Sequence, residues 1–85
     1  MERELRNLVA RQDWIAELIR DLESRKKGVE ESLKRAQARQ EPIEEAVGML
    51  ELGLVWKLIR DAEKYLAEIE KTVVQMYALR YEEEP

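Results

Sequence analysis

Any chemistry in this chain has to come from carboxylates, lysines, tyrosines and two serines, Ser24 and Ser32. There is no histidine and no cysteine. That removes the commonest general base, the commonest zinc ligand and all thiolate chemistry. Neither a Ser–His nor a Cys–His pair can be assembled. The Glu-x-x-His pattern of di-iron bundles is absent, as are the phosphate-cradling loop and the Gly-x-Gly fingerprint. Nineteen acidic residues remain, interleaved with fifteen basic ones. Mixed in this way they describe a solvated face. The expectation is a chain with no catalytic residue, no metal site and no cofactor: not an enzyme.

The elements around those residues are bounded by length. Eighty-five residues allow one domain. A core of that size is marginal without staples or partners, and no disulfide can supply a staple. The net charge of −4 and the absence of a basic stripe argue against nucleic acid and against anionic membranes. No apolar run approaches the roughly 20 residues of a membrane span, and no signal-like segment opens the chain. A cytoplasmic location is the expectation.

The composition is helical. Ala, Glu, Lys, Leu and Arg make up 50 of the 85 residues, a bias of long helices and coiled coils. The clearest breaker is Pro42, which suits the first turn of a helix and not its interior. Glu44 and Glu45 place acid in that first turn, and Arg35 and Arg39 place base at the end of the segment before it; both suit the helix dipole. The chain therefore reads as one helical domain: a helix over about 2–39, a turn at 40–42, and a helix over about 42–81, each helix roughly 57 Å long. The acidic stretch 82–85 is unfavourable at a helix C-terminus and is expected to fray. Gly28 is a rival stop, with a basic turn before it and Val29 after it. No N-cap residue follows it, and Glu23/Lys27, Glu30/Lys34 and Glu31/Arg35 offer i,i+4 pairs on both sides. Both a continuous helix and a break into two remain open at this stage.

Heptad spacing decides the pairing. Leu5, Leu8, Gln12, Ile15, Ile19, Leu22, Lys26, Val29, Leu33 and Ala36 follow alternating steps of three and four. Glu45, Gly48, Leu52, Val55, Ile59, Ala62, Leu66, Ile69, Val73 and Met76 do the same. Folding the chain back at 40–41 pairs residues whose numbers sum to about 81, and each a position then faces a d position. The fold class is all-α: a long antiparallel helical hairpin, a coiled coil, assembling into a four-helix bundle. Gln12 and Lys26 read as register control or snorkelling.

The seam leaves a second apolar face. Leu18, Leu58 and Tyr65 are g positions; Trp14, Val47 and Leu54 are c positions. All six share one flank, with Leu50 at its edge. Gly28 and Ser32 form a small-residue notch on the same flank. Each large apolar side chain gains about 1.5–3 kcal/mol by burial, so an unpaired flank of this kind marks a partner surface. The opposite flank, with Glu23, Glu30, Glu63 and Glu70, reads as solvated near its middle, interrupted by Met49, Trp56 and Tyr77.

The partner-binding candidates are thus Trp14, Leu18, Gly28, Val47, Leu50, Leu54, Leu58 and Tyr65. The partner is the chain itself, as a homodimer, or a helix of another protein. The expected function is oligomerisation or scaffolding through protein–protein contacts, with a hetero-binding module as the alternative. Lys26-Lys27-Gly28-Val29-Glu30 resembles the Lys-x-Gly-Ala-Glu stretch of HR1 domains, antiparallel coiled-coil fingers. The resemblance implies binding to Rho-type GTPases and carries no functional residue across. A sequence without His, Cys or Phe also fits an engineered helical bundle. Leu18-Ile19-Arg20-Asp21 recurs as Leu58-Ile59-Arg60-Asp61, by duplication of a helix or by chance.

Overall fold

The structure, a computed structural model, describes residues 2–83. It consists of two helices, α1 (Glu2–Ala38) and α2 (Pro42–Glu83), folded back on each other. No strand is present among the described residues. The molecule is a rod of 69 × 14 × 14 Å.

α1 runs through Gly28 without interruption. A glycine inside a helix costs roughly 1 kcal/mol relative to alanine. Seam residues on both sides, with Val29 buried next to it, hold the helix across that weak point. The i,i+4 charge pairs do not contribute ion pairs. Among the described residues the single ion pair joins Glu2 and Arg80, 2.6 Å apart, at the open end of the hairpin. Both side chains are well exposed, so that pair adds little stability. α2 continues two residues past the expected end at 81. Of the acidic stretch expected to fray, Glu84 and Pro85 lie outside the described residues.

The turn closes through the backbone. The Gln40 N–H donates to the Gln37 carbonyl at 3.2 Å, and the Glu41 N–H donates to the Ala36 carbonyl at 3.0 Å. These two bonds form a Schellman motif, which satisfies the carbonyls a helix end leaves open. Its C′ residue is Gln40, with a left-handed φ of 55°. Glycine is the usual occupant of that conformation. The Glu41 carbonyl then accepts the first bond of α2, from the Glu45 N–H at 2.9 Å. Pro42 follows at the first helical position, where its missing N–H costs nothing.

The seam is the core. All twenty seam positions are buried or half-buried, and between Pro42 and Arg80 no other residue of α2 is. Ile15 is the most deeply buried large side chain, at 1% exposure. Leu5, Ile15, Ile69 and Val73 form a cluster with Leu8, Ile19, Leu66 and Met76 packed against it. Near the turn, Leu33 Cδ1 lies 3.1 Å from where a Cβ on Gly48 would stand. Leu33 thus packs closely over the Gly48 backbone. The pair sums to 81, as the register requires.

Candidate helix-docking surface

The helices place the candidate residues by phase. α2 turns its a and d positions to α1, so c and g residues emerge on one side of the rod. Trp14, Val47, Leu54, Leu58 and Tyr65 are all exposed there, from 48% at Tyr65 to 64% at Leu54, with Leu50, also exposed, beyond its edge. Leu18 is half-buried and Gly28 is exposed. A Cβ built on Gly28 would meet nothing within 4 Å, so the notch is open.

Two clefts mark this flank. Towards the open end, Trp14 and Tyr65 line a cleft of about 510 Å³ with Asn7, Ala10 and Arg11. There the Arg11 Nη1 donates to the Tyr65 hydroxyl oxygen at 3.4 Å, across the hairpin. Near the turn, a cleft of about 580 Å³ opens between Val29, Ser32 and Ala36 on α1 and Ile43, Val47 and Gly48 on α2. Its rim carries Arg35 and Arg39 on one side and Glu44 and Glu51 on the other. The candidates therefore form a stripe along the rod. Trp14 and Tyr65 line one cleft; Val47 lies on the order of 30 Å away at 1.5 Å per residue, and Leu50 sits on the outer back of α2.

Charge divides the same flank. On α1 its basic residues are Arg11, Arg25 and Arg35, followed by Arg39 in the turn, against Glu4 and Asp21. On α2 it carries Glu44, Glu51, Asp61 and Glu68 and no base. None of these charges joins an ion pair among the described residues. The Arg35 guanidinium instead donates to the Ser32 hydroxyl at 3.4 Å.

Three exposed apolar residues escaped the sequence reading: Ile43, Val74 and Leu79. Leu79 repeats the g phase of Leu58 and Tyr65, so extending the heptad lettering would have found it. Ile43 widens the stripe at the turn. Of the twelve exposed large hydrophobic residues among those described, eleven belong to α2. The apolar surface is thus mostly one helix's property. On the far flank, Lys26 Nζ lies 4.3 Å from the centroid of the Trp56 ring, covering one face of it. Trp56, Gly53, Lys57 and Arg60 line a shallow cleft of about 500 Å³ there. No group of carboxylates among the described residues is placed to hold a metal ion, and no helix is long and apolar enough to cross a membrane.

No family model, curated protein or solved structure matches this chain.

Proposed function

We propose that this chain is a non-enzymatic self-association module, in which two hairpins pack by their g/c flanks into a four-helix bundle that serves as a scaffold. The observation that carries this reading is the amount of surface left open. A compact monomer of 10.1 kDa exposes about 5,300 Å². This hairpin exposes 7057 Å². The excess is about twice the roughly 800 Å² that a specific interface buries on each partner. Much of it is apolar and collected on α2. A two-layer rod can cover only one stripe of each helix, and α2 carries more than one.

A two-fold contact suits such a surface, because the same flank serves both copies. Interface energy concentrates in central aromatic and aliphatic clusters, and Trp14, Leu54, Leu58 and Tyr65 supply one. Light scattering tests the proposal. A mass near twice 10.1 kDa is expected. Leu58→Glu with Tyr65→Lys should return the chain to a monomer without touching the seam. Glu23→Gln with Glu70→Gln, on the other flank, should leave the mass unchanged. A monomer at all concentrations would overturn self-association and assign the flank to a helix of another protein.

A further inference from the structure

We infer that the two copies are related by an axis parallel to the helices, so that both turns lie at the same end of the bundle and α1 of each copy packs against α2 of the other. This rests on the self-association reading and fixes its geometry. Two face-to-face arrangements are available. With the axis along the rod, α1 meets the second copy's α2 at equal heights. With the axis across the rod, like helices meet head to tail and the turns point apart.

Charge separates the two. Near the turn the flank edge on the α1 side is basic, through Arg25 and Arg35 of α1 and Arg39 of the turn, and that of α2 is acidic, through Glu44 and Glu51. The axis along the rod sets Arg35 and Arg39 against the second copy's Glu44. The axis across it carries the second copy's turn to the other end of the rod, so Glu44 and Glu51 face α2 near Gln75 and Leu79 and lose the arginines. Complementary charge across an interface fixes its register.

The heights of the apolar residues agree independently. On α2 the exposed flank residues Val47, Leu54 and Leu58 lie in the turn-proximal half, whereas in the distal half Tyr65 and Leu79 are separated by Glu68, Thr72 and Gln75. A head-to-tail contact over the full rod sets Val47 at the height of Leu79 but Leu54 at that of Thr72. Staggering it to bring the turn-proximal apolar residues together gives up part of the overlap. The axis along the rod keeps every level matched. It also brings Leu54 of the second copy to the height of Gly28, where a side chain has room to enter. The aliphatic stems of Arg25 and Arg35 can cover the remaining apolar surface while their guanidinium groups reach the acidic edge.

The test uses spin labels on single cysteines, since the chain has none of its own. Gln40→Cys marks the turn and Arg3→Cys the open end; both positions are exposed. The sites lie about 56 Å apart along the rod at 1.5 Å per residue. Label-to-label distances between copies are read by pulsed dipolar spectroscopy, with the mass measured on the same samples. Both distances should fall below about 40 Å, allowing for helices 8–10 Å apart and the label arms. A head-to-tail dimer, staggered or not, must place at least one pair about 56 Å apart or more. That result with a dimeric mass overturns the arrangement and leaves self-association standing. A monomeric mass overturns both.

Discussion

The ammonium of Lys26 lies 4.3 Å from the centroid of the Trp56 ring. Lys26 holds a seam position opposite Val55, which is 5% exposed. Its stem fills the seam and its charge leaves sideways onto an aromatic face. The arrangement therefore keeps a charged residue inside the seam without burying its charge. Such a cation–π interaction is worth about 0.5–1 kcal/mol at exposed sites.

Replacing Lys26 with leucine should stabilise the hairpin. A buried leucine gains about 1.5–3 kcal/mol, which exceeds the cation–π energy that the substitution removes. The expected net gain of about 1 kcal/mol raises the melting midpoint by about 4–8 °C for a domain of this size. Circular dichroism reads the midpoint. A lower midpoint would mean that Lys26 enforces the register and is not merely tolerated in it.

Adjacent residues should behave oppositely. Ile15 is 1% exposed and Trp14 is 61% exposed. Ile15→Ala should cost about 2–4 kcal/mol of folding stability, as core truncations do. Trp14→Ala should cost the isolated hairpin only about 0.5 kcal/mol and weaken association. Both are compared at concentrations low enough to dissociate the assembly, because stability otherwise follows protomer concentration. Equal destabilisation by the two would misplace the boundary between seam and flank.

Gln40→Gly should tighten the turn. A left-handed conformation costs a residue with a Cβ about 1–2 kcal/mol, and glycine avoids that cost while adding backbone entropy to the unfolded chain. A net gain of about 0.5–1 kcal/mol is expected in chemical denaturation. A loss would show that the Gln40 side chain supports the turn.

The glycines of α2 should respond unequally. A Cβ on Gly53 meets nothing within 4 Å, so Gly53→Ala should gain the roughly 0.5–1 kcal/mol of helix propensity. A Cβ on Gly48 meets Leu33 at 3.1 Å. Moving Leu33 offsets part of the propensity gain, and Gly48→Ala should fall short of Gly53→Ala in the same unfolding assay. The reverse order would contradict the register at the turn end.

Amide exchange should show α1 as one helix. Protection is expected to continue through residues 27–31, with the strongest protection over 15–35 and 47–69. A run of fast-exchanging amides around Gly28 would divide α1 in two.

Much of this architecture was legible in the residues alone. Alternating steps of three and four mark an apolar seam whatever the chain does elsewhere, because helical geometry returns those positions to one face. Pro42 sets a boundary because its ring and missing N–H act within one turn. The register followed from both, and with it the exposure of Trp14, Leu54, Leu58 and Tyr65.

Other features depended on the chain's return. Gly28 offered local grounds for a break, against which the charge pairs and the missing N-cap favoured a continuous helix; the packing of Val29 and its neighbours across the hairpin decided it. Gln40 carries no sign of a left-handed residue, because that conformation is imposed by the bonds from Gln40 to Gln37 and from Glu41 to Ala36. Lys26 could have snorkelled to either side until Trp56 was placed beside it. The unpaired basic and acidic edges of the g/c flank likewise exist only once α1 and α2 lie side by side. Spacing along a chain determines which residues share a face of a helix, and the tertiary fold determines what that face meets.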